Sequence, residues 1–192
     1  MQELKERIVK EGKVLPGNII KVDGFLNHRI DTQLMNHIAE EFGKHFNMDE
    51  VTMILTAEAS GIALSAIVAQ HFGKPMIFAK KAKSDNIEGG LYQSDIFSYT
   101  YKKKVTLLVS KEWLSADDKV LIIDDFMANG EAMRGLCAIG EAAGATLVGI
   151  GGAVEKGFQG GGDRLRAAGV NLKSLAIIES AEPGNIVFRD ED

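Results

Sequence analysis

The chain has 192 residues, of which 45% are hydrophobic, and its formal net charge is −5. This apolar content is enough for one substantial core, whereas the acidic balance argues against a nucleic-acid-binding protein. The single cysteine, Cys137, excludes an intrachain disulfide and suits a reducing cytosol, and the basic run at 102–104 is too short for a polyanion site. Because the N-terminus is charged and no stretch approaches membrane-spanning length, we expect a cytoplasmic protein.

The first thirty residues do not follow an alternation of strands and helices. A short helix is predicted over 2–10, and an irregular stretch with several apolar residues at 19–26 follows it. We interpret residues 1–30 as a lid packed on the edge of the domain. Within the lid, Asn27 offers both a donor and an acceptor to a bound ligand, and Ile20 offers apolar contact. Asn27 is equally well explained as a turn former.

The next part of the chain contains a helix and then a strand–turn–helix unit. Asp31 is a suitable N-cap for an amphipathic helix over 32–46. A buried strand is predicted at 51–56, followed by a turn at 57–61 and a helix over 62–73. The unpaired amides at the start of that helix favour an anion, although a plain strand-to-helix connection has the same pattern. No histidine has a partner at metal-site spacing, so we assign no protein-bound metal.

A group of lysines follows the third predicted strand, which covers 75–79. Lys80, Lys81 and Lys83 have the right charge for a bound pyrophosphate, and a solvated basic corner explains any one of them equally well. The polar, glycine-bearing segment at about 80–92 is suited to closing over a ligand. Two β-like runs follow, at 95–101 and 105–110.

The central segment reads VLIIDDFMANGEA. Its four apolar residues at 120–123 predict a strand buried on both faces, followed by Asp124 and Asp125, a turn at 128–130 and a helix over 131–143. The turn and helix amides can hold a phosphate monoester, while the carboxylates suit ribose hydroxyls or a hydrated magnesium ion. The plain alternative is an exposed acidic turn. The position at the carboxyl end of a central strand favours a ligand site.

The last predicted units are a strand at 146–154 and the residues directly after it. Lys156 and Phe158 lie just beyond this strand and suit a purine, the lysine for a ring carbonyl oxygen and the phenylalanine for stacking. Alternatively, Lys156 pairs with Glu155 or solvent and Phe158 packs in the core. A glycine-rich loop follows, then a helix over 162–169 and two closing strands at 170–179 and 186–188.

The central segment resembles the phosphoribosyl pyrophosphate (PRPP) binding motif of type I phosphoribosyltransferases. That motif has an apolar strand, two acids, a short spacer and then small-polar-Gly-x-small. Family members often carry Thr where Asn129 and Ala132 stand, and some purine enzymes carry a third aspartate where Ala128 stands. With KVDGFLNH, ILTAEASGIA, FAKKAKS and VEKGFQGG, the resemblance extends over nearly the whole chain to the bacterial enzymes of this family that act on xanthine.

The resemblance implies a type I phosphoribosyltransferase fold, an α/β domain with a largely parallel sheet flanked by helices and a small N-terminal hood, in one domain over 1–192. It implies transfer of 5-phosphoribosyl from PRPP to N9 of xanthine in purine salvage, with Mg²⁺ bound with PRPP and a homodimeric enzyme. The implied catalytic residues are Asp124, Asp125 and Lys81. The implied PRPP-binding residues are Ala59, Ser60, Lys83, Ala128, Asn129, Gly130, Glu131 and Ala132, and the implied xanthine-binding residues are Ile20, Asn27, Lys156 and Phe158.

Three further expectations accompany the resemblance. A non-proline cis peptide is expected at Ala59–Ser60. With alanine at 128, no carboxylate from this loop can handle a purine proton, and we hypothesise that the acidic base xanthine enters as an anion. The alternatives are a hypoxanthine or guanine enzyme and a non-catalytic PRPP-sensing purine regulator. The regulator is disfavoured because only a short hood precedes the first unit, and a dinucleotide enzyme has no G-x-G-x-x-G motif to support it.

Overall fold

The structure, a computed structural model, describes residues 1–81, 90–98 and 103–190. Its helices are α1 (Gln2–Glu11), α2 (Thr32–His45), α3 (Gly61–Phe72), α4 (Glu131–Ala143) and α5 (Gly161–Ala167), with a π-helical turn at Asp23–Asn27 and a 3₁₀ turn at Gly157–Gln159. Its strands are β1 (Lys13–Leu15), β2 (Ile19–Lys21), β3 (Met53–Ala57), β4 (Met76–Ala79), β5 (Leu91–Ser98), β6 (Lys103–Ser110), β7 (Lys119–Met127), β8 (Thr146–Lys156), β9 (Leu172–Glu182) and β10 (Asn185–Phe188). Within these ranges, no helix combines the length and the apolar character needed to cross a membrane.

A six-stranded sheet in the order β10-β9-β8-β7-β3-β4 forms the centre of the molecule. Its five strands from β4 to β9 are parallel, and only the edge strand β10 is antiparallel. This confirms the predicted α/β class with a largely parallel sheet. Because the carboxyl ends of parallel strands lie at the same edge, the residues that follow β3, β4, β7 and β8 meet there.

Alternate residues of β7 pack into two separate hydrophobic clusters, one on each face of the sheet. Leu121 and Ile123 belong to the larger cluster, to which α2, α3 and the N-terminal hood (the lid at 1–30, including α1) also contribute residues. Val120 and Ile122 belong to the other, together with residues of α4 and of β5 and β6. This period of two explains why the apolar run is continuous, since a strand covered on both faces has no solvent side. Asp31 is the N-cap of α2, as predicted, and accepts the amides of Gln33 and Leu34.

Strands β5 and β6 form a separate antiparallel hairpin that packs on α4. The hairpin joins the main sheet through Lys80, whose N–H and C=O exchange hydrogen bonds with Leu108 at 2.9 and 2.8 Å. On α4, a Cβ added to Gly135 would lie 2.5 Å from Ile96 Cγ2, so glycine allows this close approach. Both strands begin earlier than predicted: β5 because its pairing continues to Leu91 opposite Ser110, and β6 because Lys103 pairs with Ser98.

Strand β7 extends beyond its predicted end at Ile123. It continues through Asp124 and Asp125 to Met127, because β8 supplies a partner along the way, Gly152 for Asp124 and Glu155 for Met127. The prediction that the acids follow the strand is therefore wrong. They belong to its last residues, and the parallel ladder fixes their backbone.

Candidate active site

The candidate site lies at the carboxyl edge of the parallel strands. A cavity of about 200 Å³ is lined by Lys81, Asp124, all of the predicted loop 128–132, and the hairpin residues Ile96 and Phe97. The fold thus brings a lysine from the end of β4 to the acid of β7 and the start of α4. These three parts were predicted to act together from separate stretches of the sequence.

Asp124 lies directly against the first turn of α3. A Cβ added to Gly61 would stand 2.5 Å from Asp124 Oδ1 and 2.2 Å from Thr56 Oγ1, so no larger residue fits there. The carboxylate is 8% exposed, and its Oδ1 accepts the N–H of Asp125 at 3.1 Å. Burial, and then the neighbouring Asp125 carboxylate, raise the pKa of Asp124 well above its usual value. Lys81 opposes this shift, because its positive charge favours the ionised acid.

Asp125 is 1% exposed and connects β7 to the hood. Its Oδ2 accepts a hydrogen bond from Asn27 Nδ2 at 2.9 Å. Its Oδ1 is buried and has no hydrogen-bond partner within the described residues. A buried acceptor without a partner is costly, so this oxygen is suited to an incoming hydroxyl or water.

The loop 128–132 turns sharply from the end of β7 into α4. Gly130 has φ +80°, a conformation that favours glycine, and Asn129 Oδ1 accepts the Glu131 N–H at 3.2 Å. The Glu131 carboxylate is paired with Arg134 at 2.9 Å and accepts the Phe97 N–H at 3.3 Å. The hydrogen bond from Arg134 lowers the pKa of Glu131. The amides of the first helical turn have no partner inside α4, as at any helix start.

The turn between β3 and α3 carries Ala59 and Ser60, both exposed. The cis peptide of this turn is Glu58–Ala59, so the expected position at Ala59–Ser60 is wrong by one residue. Ser60, at the N-cap of α3, has the helical dihedrals φ −66° and ψ −36°. The Lys81 N–H donates to the Glu58 carboxylate, which connects this turn to the end of β4. The predicted pyrophosphate contact Lys83 lies outside the described residues.

Lys156 reaches from the end of β8 toward the hood. Its Nζ donates to the Asn18 carbonyl at 3.2 Å and lies 5.4 Å from the centroid of the Phe126 ring. Burial lowers the pKa of Lys156. The alternative pairing with Glu155 is wrong, since that carboxylate is fully buried and bound by Arg166 at 2.6 Å.

Two other residues assigned to the base, Ile20 and Phe158, pack against the hydrophobic core. Ile20 is 7% exposed, and Phe158 is partly buried against the larger cluster. The core-packing alternative for Phe158 therefore describes at least part of its surface. A contact of either residue with a purine remains a prediction.

Three residues at the site had no role assigned from sequence. Phe126 lies under Lys156, Arg164 donates to the Asn129 carbonyl at 3.0 Å, and Gly161 packs on the loop 128–132. An aromatic inside the acidic motif and a glycine triplet at 160–162 were the available signals. Neither signal shows that Phe126 contacts Lys156 or that Gly161 contacts the loop 128–132.

Comparison with known proteins is consistent with this geometry. A family model described as the phosphoribosyl transferase domain matches residues 22–164. The chain is 54% identical to a xanthine phosphoribosyltransferase of Bifidobacterium longum, with 98% of this chain and 100% of that protein covered. It is 51% identical to a xanthine phosphoribosyltransferase of Lachnoclostridium phytofermentans, with both chains fully covered.

Solved structures with lower identity share the fold. An adenine phosphoribosyltransferase of Giardia lamblia complexed with 9-deazaadenine aligns with TM-score 0.76 at 21% identity, covering 93% of this chain and 98% of that one. An adenine phosphoribosyltransferase of Trypanosoma brucei, in complex with AMP, pyrophosphate and ribose 5-phosphate, aligns with TM-score 0.73 at 21% identity. The alignment covers 91% of this chain and 78% of that one. At this identity the likeness concerns the fold alone. Together with the family match, it shows that the chain belongs to the type I phosphoribosyltransferase family, in the group of the bacterial xanthine phosphoribosyltransferases.

Proposed function

We propose that this chain transfers the 5-phosphoribosyl group from PRPP to N9 of xanthine, giving xanthosine 5′-monophosphate and pyrophosphate in purine salvage. One observation carries the proposal: the buried carboxylate of Asp124 lies against the first turn of α3 and lines the cavity formed by the loop 128–132, and so stands between two helix N-terminal turns at one sheet edge. PRPP has a monophosphate at one end and a pyrophosphate at the other, so two separated anion sites match it. Full-length relatives named for xanthine support the choice of base.

The proposed binding mode places the 5′-phosphate in the loop 128–132. The amides at the start of α4 donate to its oxygens, and the helix dipole favours its charge. The pyrophosphate would lie at the turn of Ala59 and Ser60, with Lys81 and Lys83 supplying positive charge. Between the two ends, the unpaired Asp125 Oδ1 would accept a ribose hydroxyl.

Transfer requires the bond from C1′ to pyrophosphate to break, and positive charge then develops on the ribose. The carboxylates of Asp124 and Asp125 would stabilise that charge more in the transition state than in the ground state, which would lower the barrier. Lys81, which favours the ionised form of Asp124, would contact the leaving group. Holding both ends of PRPP converts remote binding energy into orientation of the reacting carbon.

The residues at the site fit a magnesium ion that arrives with PRPP. Across the described residues there is no group of three or more His, Cys, Asp or Glu side chains that could hold an ion, so oxygens of the substrate and water would complete its coordination. The unpaired Asp125 oxygen can accept from such a water. When bound, the ion supplies positive charge to the departing pyrophosphate.

The base would lie between the hood and the end of β8. Lys156 would donate to a ring carbonyl oxygen, Phe158 and Ile20 would give apolar contact, and Asn27 would contact the purine edge. In the structure Asn27 Nδ2 donates to Asp125 Oδ2, which leaves the second N–H and the Oδ1 of Asn27 for contact with the base. An anionic xanthine needs no general base, which agrees with alanine at position 128.

The same proposal includes the wider setting of the enzyme. We take residues 1–192 as one phosphoribosyltransferase domain, with 1–30 as the hood; most of the loop predicted at about 80–92 lies outside the described residues. The protein would act in the cytoplasm as a homodimer. Size-exclusion chromatography with light scattering measures the oligomeric state directly.

The test is turnover of PRPP and Mg²⁺ with xanthine, hypoxanthine, guanine and adenine in separate reactions, with nucleotide and pyrophosphate both measured. We expect xanthosine 5′-monophosphate in equimolar amount with pyrophosphate and the highest kcat/KM for xanthine. A preference for hypoxanthine or guanine would support the alternative base assignment. PRPP binding without turnover of any base would support the non-catalytic regulator.

A further inference from the structure

The turn that follows β8 packs against the outer side of the loop 128–132. A Cβ added to Gly161 would stand 2.5 Å from the Ala128 carbonyl oxygen and the Asn129 carbonyl carbon, and 2.6 Å from the Gly130 nitrogen. Two backbone segments are thus in direct contact, with no side chain between them. Any residue other than glycine at 161 must displace one of the two.

Arg164 adds a directional contact to the same loop. Its Nη2 donates to the Asn129 carbonyl at 3.0 Å, and its Nη1 donates weakly to the Gln159 carbonyl at 3.4 Å. In a trans peptide the carbonyl and the following N–H point in opposite directions. A carbonyl held by Arg164 therefore turns the Gly130 N–H away from Arg164. Gly130 lines the cavity of the candidate site, so this contact sets the direction of an amide there.

A buried charged group anchors the turn itself. Glu155 is fully buried, accepts from Arg166 at 2.6 and 3.2 Å, and accepts from the Ser174 hydroxyl at 2.5 Å. Gly162 lies on this carboxylate, since an added Cβ would be 2.1 Å from Glu155 Oε1. A buried and fully hydrogen-bonded carboxylate is rigid, because every alternative position leaves a charge unpaired.

We propose that Gly161 and Arg164 are positioning residues for the 5′-phosphate, acting through the backbone of the loop 128–132, with the Glu155–Arg166 pair as their anchor. The inference rests on the proposed function for the identity of the anion. Neither residue needs to touch substrate. Their effect is confined to one end of PRPP, because the pyrophosphate turn at 59–61 belongs to other strands.

Two ligands allow binding at the two ends of PRPP to be measured separately. Ribose 5-phosphate carries only the monophosphate, and pyrophosphate with Mg²⁺ carries only the leaving group. Isothermal titration calorimetry gives the affinity of each for the wild-type chain, Gly161→Ala and Arg164→Ala. The control is Gly140→Ala, a glycine of α4 at which an added Cβ would meet no described residue within 4 Å outside the nearby backbone of its own helix.

We expect both variants to weaken ribose 5-phosphate binding about tenfold, a change of about 1.4 kcal/mol, and to leave pyrophosphate within about twofold. Gly140→Ala should bind both ligands like wild type. Unchanged ribose 5-phosphate affinity in both variants would overturn the inference, and so would equal weakening of both ligands, which marks a general loss of structure. A wild-type chain that binds both ligands but turns over no purine would reject the proposed function and leave this inference standing.

Discussion

Replacing Asp124 with asparagine should stabilise the folded chain at neutral pH and at the same time impair turnover. The Asp124 carboxylate is buried and lies beside the Asp125 carboxylate. Burial, and then the neighbouring negative charge, raise its pKa in the folded state. The unfolded chain has the ordinary aspartate pKa of about 3.9. The asparagine side chain keeps the shape and can still accept the Asp125 N–H, but it carries no charge to desolvate.

The magnitude follows from proton linkage. Between the unfolded and the folded pKa of Asp124, the folded state binds more protons, so the free energy of unfolding falls by up to about 1.4 kcal/mol per pH unit. Above the folded pKa the loss is complete and constant. The advantage of Asp124→Asn should therefore be near zero below about pH 4 and grow with pH through this window. For a chain of this size, each 1 kcal/mol corresponds to about 2–4 °C in Tm.

Urea unfolding of wild type and variant between pH 4 and pH 8 measures this difference. Asp49→Asn, which removes an exposed carboxylate on a turn, is the control for pH trends common to the whole chain. The same Asp124→Asn variant should lose about 10²-fold or more in kcat, because charge stabilisation at a reacting centre is typically worth that much. Parallel stability profiles for wild type and Asp124→Asn would refute the reasoning, since they would mean that the buried acid carries no cost.

Three further substitutions test other parts of the site and fold. Lys156→Met should raise the KM for xanthine about tenfold or more, through loss of a charged hydrogen bond, with the KM for PRPP nearly unchanged; an equal rise in both would contradict the assignment. Asn27→Ala should raise the KM for xanthine about 2–10-fold through loss of its contact with the purine edge, and an unchanged KM for xanthine would count against that contact. Gly135→Ala should lower the free energy of unfolding by about 1–3 kcal/mol through a clash with Ile96, and an unchanged urea midpoint would show that the hairpin yields.

The parts of the fold that follow from local chemistry were predictable. The β-branched run before Asp124 predicts a doubly covered strand, and its residues do alternate between two clusters. Asp31 was identified as a cap because its side chain satisfies amides two and three residues ahead. Lys81 and the loop 128–132 share a cavity because parallel strands end at one edge, a property of the fold class rather than of any one residue.

What could not be predicted depends on contacts between distant segments. The Asn27–Asp125 hydrogen bond joins residues 98 positions apart, and nothing near either residue indicates the other. Gly161 looked like an ordinary loop glycine, because the backbone that excludes a side chain there comes from the preceding helix start. The end of β7 was misplaced for a similar reason. Hydrogen bonds from β8 keep Asp124 and Asp125 extended, although aspartate alone has low strand propensity.

The missing side chain at Gly61 has a consequence for which ligands the site can accept. With Asp124 in contact with the backbone of α3, the turn at 59–61 cannot move toward or away from β7 without breaking the packing of both. The distance between the two proposed anion sites is then a fixed dimension of the protein. Sugar phosphates with a longer or shorter span between their charged groups should be rejected on length alone, before any base is recognised.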